Sequence, residues 1–130
     1  ACSTDPSRPF VEDFLAFILS EHPDRNFAFL TYDADQIIRG FWGYGQNGCA
    51  GLNNLLPPDY PVERFRMGLA DLRDRILAGE DSAKLWIAPG AGHVLLTTAP
   101  WAQSQGGQTL ADWLSAGLDD APTWDHVPAP

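Results

Sequence analysis

The chain has 130 residues, of which 8 are basic and 17 acidic, so its formal net charge is −9 at neutral pH. This length fits one domain, and an apolar share of 45% can supply a hydrophobic core, which excludes disorder over most of the chain. The negative charge repels phosphate backbones and anionic headgroups, so nucleic acid and membranes are not expected as partners. The longest apolar runs also fall far short of the roughly 20 residues that cross a bilayer.

The first half of the chain alternates helical and strand patterns. Apolar residues recur at three- and four-residue spacing over 9–21, which predicts a helix with one buried face. The nearly continuous apolar run over 27–32 is typical of a strand covered on both faces. A second helix is predicted over 36–44, and the Gly, Asn and Pro residues of 45–61 predict a long surface loop.

The second half repeats this alternation. A helical face predicts a third helix over 62–78, and a buried strand is expected over 84–88. A sharp Gly-rich loop follows, and then a β-prone stretch over 94–98. A variant of the capping box at Thr109 opens a last helix that runs to about Leu118, and the tail beyond it is expected to lie on the surface.

This order of elements favours an α/β arrangement with parallel strands in one domain, 1–130. Two or three strands make a thin sheet, because buried strands need neighbours on either side. We therefore expect the chain to be half of a larger sheet. Its first residues lack a basic leader and an apolar signal core, which favours a product processed from a longer precursor.

Two cysteines, Cys2 and Cys49, are too few for a disulfide-dense scaffold and lack metal or redox spacing. One disulfide between them is the simplest interpretation. A disulfide from Cys2 to another chain and two reduced thiols in a cytosolic protein are the alternatives. Since disulfides persist in oxidising compartments, the first interpretation favours a secreted or periplasmic protein.

Two reactive side chains follow the predicted strands. Asp33 comes directly after the first strand, and His93 lies in the Gly-rich loop after the second. Because the carboxyl ends of parallel strands converge on one crevice, we predict a hydrogen bond between Asp33 and His93. An acid followed by a histidine is the order of the last two triad residues in α/β-hydrolases. Asp35 is the competing acid, and a turn or helix-capping role for Asp33 is the non-catalytic alternative.

The segment 32–37, Tyr-Asp-Ala-Asp-Gln-Ile, resembles the aromatic-Asp-x-x-Gln-aliphatic segment around the catalytic acid of the pectin acetylesterase and Notum family. Residues 89–96 are similar to the segment that carries that family's catalytic histidine, and 110–114 to the final helix of its bacterial members. The resemblance implies the C-terminal part of an α/β-hydrolase sheet with flanking helices. It also implies that Asp33 and His93 are the catalytic acid and base of a carboxylic ester hydrolase.

The chain departs from that family in one respect. The family requires a Gly-x-Ser-x-Gly motif before the acid, and none of the six serines lies in one. We therefore expect the nucleophilic serine on an N-terminal segment or second chain that is not part of this sequence. The substrate class is an ester, and its acyl group stays open between acetylated polysaccharide, lipid ester and polyester.

Other kinds of site have weaker support. The three histidines have no metal-binding spacing, and no phosphate-binding loop follows a strand, so neither a metal nor a cofactor is expected. Trp86 and Trp113 are predicted to lie in the core, whereas Trp42 and Trp101 are candidates for substrate contacts at the rim of a cleft. The rival hypothesis is a non-enzymatic ligand-binding or carbohydrate-binding module.

Overall fold

A computed structural model describes residues 10–49, 53, 55–56, 59–97 and 100–130. Helices alternate with short strands, which confirms the predicted α/β class. The first helix and both predicted strands lie within one residue of their expected limits. The elements in chain order are α1 (Phe10–Glu21), β1 (Phe27–Tyr32), α2 (Gln36–Cys49), α3 (Val62–Asp71), β2 (Ala83–Ala88), β3 (Ser104–Gln105), β4 (Gln108–Thr109) and α4 (Leu110–Leu118).

The sheet that organises the molecule consists of β1 and β2. They run parallel and in register, with Phe27 opposite Ala83 at one end and Tyr32 opposite Ala88 at the other. A separate antiparallel pair joins β3 to β4 just before α4. Among the described residues the parallel sheet has two strands, fewer than the four to six that sheets usually contain.

The tail after α4 lies on the surface for most of its residues, as predicted, but two of its side chains, Trp124 and Val127, are buried. Val127 forms a parallel bridge to β2: its N–H donates to the Leu85 carbonyl at 2.9 Å, and its carbonyl accepts the Ile87 N–H at 2.8 Å. Trp124 of the same tail is 7% exposed. The tail is held because it satisfies backbone groups on the side of β2 that β1 leaves open.

Three tryptophans form the larger hydrophobic cluster. The rings of Trp86 and Trp113 lie 5.6 Å apart at 60°, and those of Trp113 and Trp124 lie 5.6 Å apart at 48°. Such aromatic pairs each add about 0.5–1.5 kcal/mol beyond area burial. The core placement predicted for Trp86 and Trp113 is confirmed. The other buried members are Ala88, Leu95, Leu110 and Val127.

The second cluster gathers Leu15 of α1, Leu77 and Ala83. Since Ala83 and Trp86 occupy positions of opposite parity on β2, the two clusters cover opposite faces of the sheet. Both strands are therefore packed on each side, which explains their continuous apolar sequences.

Three local predictions differ from the structure. Helix α2 continues over 45–49, where a loop is predicted, because its four internal glycines weaken a helix without breaking it. Helix α3 gives way to a π-helical turn over Leu72–Ile76, and this wider turn is followed by Leu77 in the core. The β-prone stretch forms a 3₁₀ turn over Leu95–Thr97, and this turn buries Leu95.

Two further expectations concern cysteine and membranes. The predicted Cys2–Cys49 disulfide lies outside the described residues, since Cys2 is not among them. In the parts of the chain that the structure describes, no helix has the length and apolar character needed to cross a bilayer.

His126 makes the tail sensitive to pH. Its Nδ1 accepts the backbone N–H of Leu85 at 3.1 Å, so this nitrogen must carry no proton. Burial of the ring, with the nearby charge of Lys84, holds the pKa of His126 below its ordinary 6.5. The folded state thus takes up this proton less readily than the unfolded state. The resulting stability is present above about pH 6.5 and is lost as the pH falls through the lowered pKa.

We predict that His126→Asn weakens this pH dependence. An Asn Oδ1 can accept the same Leu85 N–H but does not titrate, so the free energy of unfolding of the variant falls less than that of the wild type between pH 7.5 and pH 5. Urea unfolding at the two pH values measures the difference. His22→Asn, at an exposed position, is the matched control and follows the wild type. Equal losses in wild type and His126→Asn would contradict the prediction.

Candidate functional site

The two loops that leave the carboxyl ends of β1 and β2 are hydrogen-bonded to each other. The Asp33 N–H donates to the Ala88 carbonyl at 2.8 Å, and the Ala34 N–H donates to the Gly90 carbonyl at 3.0 Å. Because the strands end in register, both loops begin at the same edge of the sheet. The edge therefore collects the polar side chains that follow each strand.

His93 pairs with Asp35 at this edge. The His93 Nδ1 lies 3.0 Å from Oδ2 and 3.2 Å from Oδ1 of Asp35. The same carboxylate caps α2, since its Oδ1 accepts the N–H groups of Ile37 at 2.9 Å and Ile38 at 2.8 Å. The positive end of the α2 dipole stabilises the negative charge at this position.

This geometry determines which nitrogen of His93 can act as a base. A carboxylate only accepts hydrogen bonds, so Nδ1 must donate and Nε2 keeps its lone pair. The Asp35 side chain is 2% exposed and the His93 side chain is 41% exposed. A buried acid thus orients an accessible imidazole, an arrangement that is compatible with general acid–base catalysis.

Asp33 is placed differently from the sequence prediction. Its Oδ1 accepts the Gly90 N–H at 2.7 Å, and its Oδ2 accepts Nε of Arg66 at 3.0 Å and Nη2 at 2.7 Å. The predicted hydrogen bond between Asp33 and His93 is therefore wrong, because both oxygens of Asp33 are engaged elsewhere. Its role as the catalytic acid stays a prediction that the Asp35–His93 contact weakens.

Arg66 is the site-edge residue that the sequence reasoning missed. It lies on α3, and its side chain is 45% exposed. Hydrogen bonding to Asp33, together with its negative charge, raises the pKa of the Arg66 guanidinium. No local pattern marks this pair, since the two residues are 33 positions apart.

The Gly-rich loop packs directly on Tyr32 at the end of β1. A Cβ on Gly92 would lie 2.6 Å from the Tyr32 ring, too close for any real side chain. Gly90 has a φ of +125°, a conformation that side-chain-bearing residues rarely adopt. These two glycines allow the loop to turn tightly enough to bring His93 back over the edge of the sheet.

Trp42 and Trp101 are both partly exposed, at 48% and 44%. Trp42 packs edge-on against Tyr60, with the ring centroids 6.1 Å apart. Trp101 lies on a 3₁₀ turn over Pro100–Ala102. Their rings are accessible to a ligand, and their predicted role in substrate binding stays a prediction.

The described residues contain no group of three or more His, Cys, Asp or Glu side chains arranged to hold a metal ion. A cleft of about 300 Å³ lies beside the site edge, lined among others by Asp33, Arg66, Ile87 and Pro128.

Comparison with protein-family models, curated proteins and solved structures found no match to this chain. The function is therefore inferred from the geometry of the site.

We predict that Gly92→Ala destabilises the protein, because its Cβ would collide with the Tyr32 ring. Overpacking of this kind costs about 1–3 kcal/mol of unfolding free energy. Gly68→Ala, on the exposed face of α3 with nothing within 4 Å of the new Cβ, is the matched control. It should stabilise by up to about 1 kcal/mol, because alanine favours a helix. Thermal or urea unfolding measures both, and an unchanged Gly92→Ala protein would disprove the close packing.

Proposed function

We propose that this chain supplies the acid and the base of a carboxylic ester hydrolase that uses a Ser-His-Asp mechanism. The base is His93 and the acid is Asp35. One observation carries the proposal: a buried carboxylate, held at a helix N-terminus, contacts Nδ1 of a partly exposed histidine at the carboxyl edge of a parallel sheet. Open parallel sheets bind ligands at this edge.

In the proposed reaction Nε2 of His93 removes the proton of a serine hydroxyl as the serine oxygen attacks the ester carbonyl. The imidazolium then returns this proton to the departing alcohol, leaving an acyl-serine. In the second half, Nε2 takes a proton from water, which attacks the acyl-serine, and the serine recovers its proton as the acid is released. Asp35 stabilises the imidazolium in both halves and keeps the ring in the tautomer that leaves Nε2 free.

The serine itself must come from another segment or a companion chain, since no Gly-x-Ser-x-Gly motif occurs in this sequence. The sheet supports such a complement. Among the described residues β1 pairs with β2 alone, so its other edge can accept a further strand. We propose on this basis, and on the resemblance to pectin acetylesterases, that the chain forms the C-terminal part of an α/β-hydrolase sheet.

A ligand-binding module without catalytic activity is the second candidate. The accessible rings of Trp42 and Trp101 favour it, because exposed aromatic side chains offer apolar area to a ligand. A serine-directed fluorophosphonate separates the two. Labelling of a companion chain or of the parent protein supports the hydrolase, and tight ligand binding without labelling supports the module.

We predict that Asp35→Asn and His93→Gln each reduce kcat for a chromogenic ester on the order of 10⁴-fold, by analogy with loss of the acid in serine proteases. Asparagine still caps α2, so the Asp35 variant should remain folded. Asp33→Asn should lose much less activity. His22→Gln, between α1 and β1 and so at the opposite end of β1, is the matched control and retains full activity.

The ranking of the two aspartates decides the assignment. A larger loss in Asp33→Asn than in Asp35→Asn would make Asp33 the acid, as the sequence analysis predicted. Retained activity in His93→Gln would disprove the hydrolase proposal itself. A native mass measured on the active material shows whether a second chain accompanies the 14.2 kDa of this one.

A further inference from the structure

Asp33 is a buried charged residue that the proposed mechanism does not use. It is 8% exposed, and its carboxylate bridges two elements, the Gly-rich loop and α3. One oxygen holds the backbone of the Gly-rich loop at Gly90, and the other holds the guanidinium of Arg66 on α3. Burying a carboxylate is costly unless it is paired, so this ion pair is what permits Asp33 to occupy its position.

The contacts connect α3 to the loop that carries His93. Arg66 Nη2 lies 2.7 Å from Asp33 Oδ2, and Asp33 Oδ1 accepts the Gly90 N–H at 2.7 Å. Gly90 is three residues before His93, within the loop that Tyr32 supports from below. The planar fork of arginine fixes the carboxylate through two nitrogens, which a lysine could not do.

We infer that Arg66 is a positioning residue, which acts through Asp33 to hold the Gly90 loop so that His93 Nδ1 faces Asp35. This inference rests on the proposed function, since a fixed imidazole matters only if His93 transfers protons. Arg66 has a second effect. Asp33 and Asp35 are two carboxylates at one strand end, and by engaging Asp33 the guanidinium leaves Asp35 as the partner of the ring.

The test is the tautomer of His93 in ¹⁵N NMR spectra of the imidazole, recorded at about pH 8, where an ordinary histidine is neutral. The wild type should show the Nδ1–H form, because Asp35 accepts that proton. In Arg66→Met the Asp33 carboxylate loses the guanidinium that fixes it, so the loop loses one of its anchors, and the Nε2–H form that free imidazole prefers should become the major one. Arg66→Lys keeps the charge without the fork and should give an intermediate mixture.

Arg64→Met is the matched control. Arg64 lies on the same helix, with its guanidinium 5.6 Å from the Tyr60 ring centroid, and its loss should leave the His93 tautomer as in the wild type. Circular dichroism of each variant shows that the helices are intact. A wild-type tautomer in both Arg66→Met and Arg66→Lys would overturn the inference.

Kinetics separate this inference from the proposed function. Where ester hydrolysis is measured, Arg66→Met should reduce kcat on the order of 10²-fold with KM nearly unchanged, as expected for a displaced catalytic group. The tautomer measurement needs no activity. A tautomer change without any hydrolysis by the wild type would therefore disprove the proposed reaction and leave the positioning of His93 established.

Discussion

The parallel, in-register pairing of β1 with β2 is the constraint on which the rest of the site depends. Since Tyr32 and Ala88 are opposite each other, the chain leaves both strands at one edge, and the next residues of each loop can hydrogen-bond across the gap. A shift of the pairing would separate the Asp35 carboxylate from the His93 ring. The contact between Asp35 and His93 thus depends on the backbone register of the two strands as well as on the side chains themselves.

The pairing of β1 with β2 is stabilised by the elements that pack on the two faces of the sheet. Two strands cannot bury their own faces, and here α1 with Leu77 packs on one face while α4 and the tail pack on the other. The tail contributes backbone hydrogen bonds through Val127 and aromatic packing through Trp124. The sheet is therefore packed on both faces, while the His93 side chain at its carboxyl edge remains accessible to solvent.

The chain has few cations, and several of them join separate elements. Arg75, in the π-helical turn, binds Glu12 of α1 at 2.6 Å, and Arg39 of α2 donates to the Tyr60 carbonyl at 2.8 Å. Arg66 does the same for α3 and the site edge. The protein has a net charge of −9, so each of these arginines neutralises acidic neighbours and also connects two segments of the chain.

The sequence by itself determined the features that depend on local periodicity and on turn or cap residues. These were α1, both strands of the sheet, the Thr109 start of α4, the core role of Trp86 and the convergence of Asp33, Asp35 and His93 on one edge. Tertiary structure alone decided which carboxylate contacts the His93 ring. Asp33 and Asp35 follow the same strand end, and only the folded structure shows that Asp35 binds the imidazole whereas Asp33 binds the Gly90 N–H. It also decided the packing of the tail and the contact of Arg66 with Asp33. The packing of the tail and the Arg66–Asp33 contact each join segments that are distant in the sequence. Their contributions to stability depend on burial and on side-chain geometry, and a local sequence pattern contains neither.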